Sequence, residues 1–273
     1  MKEKNGRSGN KISISFTALL IFIAMAVTSI NACGYLGILG ELSWKEEVLL
    51  HDGSKIIVKR WQKLKTVYTF EPSALIKEQS ISFKLPGTNK KIAWKDGPAK
   101  DVMETVNFTL IALHIKNNKP YLITSPYGCL SFNKWGRPNP SYIVFTYEGK
   151  EWNRIDMTNL PPEFRTVNLV QGTMNHKVKV AIGQGLLTAE KIKALNEDGN
   201  KSEIYKTIVR TPFKGSGQGG CPEMVYDGRK WMGIGFFNRK ANYEECLVVC
   251  KETMHDIKYC PCSRLFPNNK KGE

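Results

Sequence analysis

The sequence predicts a mostly-β fold with a minor α part: consecutive antiparallel hairpins forming a sandwich or barrel-like body, one helix near 188–196, and a disulfide-braced C-terminal region. Three observations carry this reading. Short runs rich in β-branched and aromatic residues recur between Gly, Pro and Asn turn signals from Trp44 to Met157. One segment, Thr188 to Asn196, joins capping chemistry to helix-forming residues. Cys221, Cys246, Cys250, Cys260 and Cys262 all lie beyond Gln171.

The hairpins come in order. The fold begins at Trp44, and the run from Trp44 to His51 is joined to Ser54–Trp61 by Asp52-Gly53, a dipeptide suited to a type I′ turn. A two-residue loop sets Val48 against Ile57, Glu46 against Lys59 and Trp44 against Trp61, which brings an ion pair and an aromatic pair into register. Ile81–Leu85 and Lys91–Trp94 flank Pro86-Gly87-Thr88-Asn89. Phe108–Ile115 and Pro120–Thr124 flank Asn117-Asn118, and Tyr142–Tyr147 and Trp152–Met157 flank Glu148-Gly149. The stretches Tyr147–Trp152 and Tyr226–Trp231 share Tyr, acidic, Gly, basic, any residue, Trp. Two similar hairpin turns explain them, because an offset of 79 residues matches no usual propeller blade.

Thr188 N-caps Ala189–Asn196, Glu190 stands in the first turn, and Leu187 and Ile192 occupy hydrophobic-staple positions. Asn196 to Asn200 breaks this helix. Lys201–Arg210 suits either a helix face or a buried strand. The chain divides into a signal peptide (1–32), a lipid-linked tether (33–43), a β-rich region (44–170), a Cys-rich region (171–264) that is either separate or continuous with it, and a polar tail (265–273).

Lys2, Lys4, Arg7 and Lys11 precede the apolar run Ala18–Val27, and Ile30-Asn31-Ala32-Cys33 follows: the order of an export signal. A transmembrane helix needs about 20 consecutive apolar residues, and Ile12–Ile30 reaches that only by including Ser13, Ser15, Thr17, Thr28 and Ser29. A plain cleaved signal and an ordinary cysteine in a retained helix are the other readings. Ile30-Asn31-Ala32-Cys33 resembles the bacterial lipoprotein signal, with Asn31 departing from its usual small residue. The resemblance implies a diacylglyceryl thioether on Cys33, cleavage before it and acylation of the new amine. Gly34, where an Asp would retain the protein at the inner membrane, resembles the pattern of outer-membrane lipoproteins facing the periplasm.

Cleavage before Cys33 leaves 273 − 32 = 241 residues, enough for one large domain or two small ones. The removed segment carries net +3, so +15 becomes 15 − 3 = +12. That surplus favours anionic envelope components or gives a solvated basic surface; an exported chain rarely meets nucleic acid. Of 7 cysteines, setting aside Cys33 leaves Cys129, Cys221, Cys246, Cys250, Cys260 and Cys262, an even set for three disulfides in an oxidising compartment. Their pairing is open.

No constellation names a reaction or a cofactor. Gly215–Gly220 matches G-x-G-x-x-G, but Cys221-Pro222 follows it and no strand–helix context surrounds it, so it reads as a loop. Cys246, Cys250, Cys260 and Cys262, with His255 between them, offer metal-ligand types, but export favours disulfides over thiolate metal binding. His51 reads as a turn residue and His114 as a core histidine. Asp52, Asp96, Glu104, Glu151 and Asp156 supply carboxylates for a glycosidase only if two lie about 5–10 Å apart. Trp44, Trp61, Trp94, Trp135, Trp152 and Trp231 serve as core or as sugar-stacking surfaces.

Trp44–Trp61, Pro120–Pro140 and Tyr142–Pro162 resemble an uncharacterised family of proteobacterial envelope lipoproteins with no known activity. The resemblance implies location and carries over no catalytic residue. The expected function is a non-enzymatic, lipid-anchored binding or structural role in the envelope. The alternatives are a cell-wall or glycan-processing hydrolase with a carboxylate pair, and a sugar-binding propeller-like module.

Overall fold

A computed structural model describes residues 40–67, 73–98, 105–199, 202–214 and 220–267. The export signal, Cys33, Glu104, residues 215–219 of the glycine-rich run and residues 268–273 of the tail lie outside the described residues.

The first sheet contains β1 (Glu41–Leu49), β2 (Lys55–Val67), β3 (Ser73–Lys84) and β4 (Lys91–Asp96) as an antiparallel meander. The second is another meander: β5 (Phe108–Lys116), β6 (Lys119–Pro126), β7 (Ile143–Glu148) and β8 (Glu151–Ile155). Neither sheet closes, so the architecture is a sandwich. Val48, Val58, Ile81, Phe83 and Trp94 of the first sheet share a core with Phe108, Leu113, Leu122 and Phe145 of the second. Strict alternation produces this face: every second residue of β4, Ile92, Trp94 and Asp96, is buried.

The second sheet is buried on both faces. Ile111, Ala112, Ile123 and Val144 point away from the first sheet and are covered by Leu160, Phe164, Val167, Ile204 and Ile208. A nearly continuous apolar run such as Phe108–Ile115 suits a strand with no wet face. Residues 201–210 form neither a long helix nor a sheet strand where described; a short 3-10 turn at Glu203–Tyr205 and a single bridge from Thr207 to Thr166 set Ile204 and Ile208 into this layer.

The first hairpin corrects the expected register. Its loop has three residues: Gly53 N–H donates to Leu50 O (3.2 Å), and Leu50 N–H donates to Ser54 O (2.8 Å). Gly53 takes φ +84°, as in a turn followed by a left-handed residue. Val48 consequently faces Ile56, Glu46 faces Val58, Trp44 faces Arg60 and Ser43 faces Trp61. A slip of one residue changes faces: Trp44 is buried, while Trp61 is half-buried on the other side, its Nε1 donating to Glu41 Oε2 (3.1 Å). The strand also begins at Glu41, before Trp44.

The Asn117-Asn118 turn has both residues at positive φ, +51° and +56°. The two similar motifs are both hairpins, pairing Tyr147 with Trp152 and, between β10 (Met224–Tyr226) and β11 (Trp231–Gly233), Tyr226 with Trp231.

Six α-helices occur among the described residues. α1 (Gly128–Lys134) sits in a stretch with no helical signal in the sequence. Next come α2 (His176–Gly183), β9 (Leu186–Leu187), which pairs in parallel with β1, and α3 (Ala189–Gly199). Thr188 Oγ1 accepts from Lys191 N (3.3 Å), the expected cap. Asn196 does not break α3. It is buried, accepting from Gln171 N (2.8 Å) and donating to Leu169 O (3.0 Å).

The C-terminal region adds α4 (Gly235–Asn238), α5 (Tyr243–Thr253) and α6 (Cys262–Leu265). Asn242 caps α5 by accepting from Glu245 N (2.9 Å), and Glu245 Oε2 accepts from Ala241 N (3.2 Å). Leu265 and Phe266 pack onto the cysteine core rather than starting a polar tail. No helix among the described residues is long and apolar enough to cross a membrane.

Candidate functional site

The inward face of the first sheet is not wholly apolar. Cross-strand pairing aligns Trp44, Arg60, Ile81 and Trp94 in one row. The next row is Leu42, Gln62, Gln79 and Asp96. Period-two alternation forces Glu46, Arg60 and Gln62 inward along with Val48 and Val58.

Each inward polar group finds partners. Glu46 Oε1 accepts from Arg60 Nη1 (3.0 Å) and Trp44 Nε1 (2.6 Å), and Oε2 accepts from Val170 N (3.1 Å). Arg60 also donates to Val170 O (3.2 Å) and lies 4.9 Å from the centre of the Trp44 ring. Thr173 Oγ1 donates to Gln62 Oε1 (2.8 Å). Asp96 receives Asn107 N (3.1 Å), Asn107 Nδ2 (2.9 Å), Phe108 N (2.9 Å) and Gln79 Nε2 (3.2 Å). Burial nevertheless pushes its carboxyl above the ordinary range, because desolvation outweighs these bonds.

These contacts pin the segment Val170–Thr173 across the sheet and form one wall of a cleft of about 280 Å³. Arg60, Gln62 and Gln79 line it from the first sheet, and Thr109 and Leu110 from β5. Tyr127 and Tyr205 complete the polar wall, and burial raises both phenols above the ordinary tyrosine value. Two lining residues carry a polar atom without a hydrogen-bond partner among the described residues: Arg60 Nε and Gln171 Oε1. Each residue is only 3% exposed. The Gln171 amide is oriented by Nε2 donating to Leu110 O (2.6 Å) and Leu169 O (2.9 Å), which leaves Oε1 as the spare acceptor. The cleft offers hydrogen-bond donors, acceptors and apolar contacts from Ile76, Val170 and Met174.

The residues singled out in the sequence lie elsewhere. Asp52 caps its turn through Ser54 N (3.0 Å), and Asp156 caps another through Thr158 N (2.8 Å). Glu151 is exposed at the start of β8. The buried carboxylates of the first sheet, Glu46 and Asp96, stand three strands and four residues apart. That is about 20 Å at the backbone, beyond glycosidase spacing. His114 is a core residue: Nε2 bonds Thr166 O (3.0 Å), the ring stacks on Phe164 (4.7 Å), and burial lowers its pKa to about 4. His51 packs edge-on against Phe164 (4.9 Å). Trp44 and Trp94 belong to the core; Trp61, Trp135, Trp152 and Trp231 are half-buried.

The cysteines pair as Cys129–Cys221, Cys246–Cys262 and Cys250–Cys260. Cys246 and Cys250, one helical turn apart on α5, face the same way, and Cys250 Sγ lies 3.4 Å from Cys262 Sγ. The sulfurs of Cys246, Cys250 and Cys262 lie within 4.8 Å of one another, as metal ligands would, but all three are bonded in disulfides.

Sequence reasoning missed Glu46, Arg60, Gln62, Gln79 and Gln171. A signal exists for the first three: each falls on the apolar phase of its strand, in step with Val48 and Val58. Comparison of the chain with protein-family models, curated proteins and solved structures finds no match.

Proposed function

We propose that this protein is a lipid-anchored component of the bacterial cell envelope, held by Cys33 in the outer membrane and facing the periplasm, and that its folded body works by binding a small molecule in the cleft beside Arg60. The observation that carries the binding role is the pair of unpartnered buried atoms, Arg60 Nε and Gln171 Oε1, on residues lining one cleft. An unpaired buried polar group costs about 1–3 kcal/mol, and a bound molecule recovers it where a small shift of the Arg60 or Gln171 side chain opens that atom to the cleft. Three disulfides accord with an oxidising compartment. The formal charge of the mature chain, 15 − 3 = +12, accords with anionic surroundings.

Two experiments test the reading. The mass of the mature N-terminal peptide shows lipid on Cys33, and Cys33→Ser leaves the membrane fraction or fails to mature; several acyl chains are needed for stable anchoring. An unmodified chain starting at Met1, or a free thiol at Cys33, rejects the anchor. For the cleft, native mass spectrometry compares the full mature lipoprotein from its host envelope with Thr109→Trp, which places a large side chain on the β5 side of the cleft. A small-molecule adduct on wild type and none on the folded variant supports the binding role. An equal adduct on both, or none on either, rejects it.

A further inference from the structure

The cleft also specifies the class of its ligand. Among the described residues Arg60 is its only charged lining residue, and Glu46, 3.0 Å away, cancels that charge inside the fold. An anionic ligand brought to Arg60 must also approach the Glu46 carboxylate and shed its own water. A cationic ligand meets the guanidinium. Either leaves a charge without a free counter-charge in a cleft that removes part of its water, which is costly. The excess positive charge of the whole chain does not alter this, since long-range attraction gathers anions at a surface without lowering the cost of burying them.

The neutral groups are varied. Gln62, Gln79 and Gln171 present amides, Thr109 and Thr173 hydroxyls, and Tyr127 a phenol. Ile76, Leu110, Val170 and Met174 add apolar surface. At about 30 Å³ per water, the 280 Å³ cleft holds the equivalent of about nine waters, the scale of a single sugar ring. Resting on the binding role argued above, we infer that the ligand is a neutral, hydroxyl-rich ring of monosaccharide size with one apolar face.

Three pyranose probes of nearly equal size separate the possibilities: glucose (neutral), glucosamine (cationic) and glucuronate (anionic). Calorimetric titration and thermal unfolding are run on the full mature lipoprotein in a neutral detergent. The expected result is saturable binding of glucose, at least tenfold tighter than either charged probe and abolished in Thr109→Trp that retains the wild-type circular dichroism spectrum. Tighter or equal binding of glucuronate or glucosamine, lost in Thr109→Trp, overturns the neutral class while leaving the cleft a binding site. Binding unchanged by Thr109→Trp overturns both, because it lies elsewhere. Absence of binding by all three overturns the sugar-ring class, and the adduct comparison above then decides separately whether the cleft binds anything.

Discussion

Glu46 and Arg60 meet 3.0 Å apart inside the sandwich, with the Glu46 side chain fully buried and Arg60 only 3% exposed. They are diagonal neighbours on adjacent strands, since Arg60 stands opposite Trp44 and Glu46 opposite Val58. Removing one partner strands the other without a counter-charge, at a cost of about 3–5 kcal/mol. Glu46→Leu or Arg60→Met alone should lower the urea midpoint accordingly. The double variant Glu46→Leu/Arg60→Met should lose less than the two single losses combined, with a remainder from Trp44 Nε1 and Val170 N, which lose their acceptor. Single losses that simply add in the double variant would show that the pair is not coupled.

His114 makes stability depend on pH above the carboxylate range. Its pKa is 6.5 in the unfolded chain and about 4 in the fold, because burial disfavours the charged ring. The nearby His51 opposes its charge and Asp52 favours it, both less than burial does. The folded value is the lower, so the unfolded chain binds the proton more readily. The neutral ring's contribution is complete above about pH 6.5 and is lost as the pH falls towards 4. The loss is about 3 kcal/mol over that interval. Unfolding free energy measured from pH 7 to pH 5 should fall for wild type and stay nearly level for His114→Leu. Parallel slopes for the two proteins would refute the assignment.

The three disulfides close loops of different length, and the loops rank their effects. Cys129–Cys221 spans 92 residues and Cys250–Cys260 spans 10. Loop-closure entropy makes the first worth about 4–5 kcal/mol and the second about 3. Cys129→Ala/Cys221→Ala should therefore lose more stability than Cys250→Ala/Cys260→Ala in denaturant titrations. The reverse order would show that native-state effects, not chain entropy, dominate.

Gly53 isolates a backbone effect. It holds φ +84°, and a side chain built there meets no atom within 4 Å. Any cost of substitution therefore comes from the left-handed conformation, about 1–2 kcal/mol for an ordinary residue. Gly53→Val should show at least that loss and Gly53→Asn a smaller one, since Asn tolerates positive φ. Equal melting temperatures for Gly53→Val and wild type would mean that the loop has changed type.

The sequence by itself determined what depends on neighbours along the chain. The hairpins around Pro86-Gly87, Asn117-Asn118 and Glu148-Gly149, the Thr188 cap and the matching Tyr–Trp hairpins all follow from local turn and capping chemistry. The even cysteine count was legible too, but the pairing was not. Which of fifteen pairings forms depends on α5 holding Cys246 and Cys250 on one face. Only the tertiary structure decided the first hairpin's register. Asp52-Gly53 serves a two-residue or a three-residue loop, and packing selects the one that buries Val48 and Val58 against the second sheet and Trp44 against α2 and α3. That one-residue difference turns Glu46 away from Lys59 and brings it to Arg60. It likewise took the fold to bring Gln171 beside Arg60 from more than a hundred positions along the chain. Local propensity acts over a few residues, whereas the cost of burying a charge or an amide is settled by whatever packs against it.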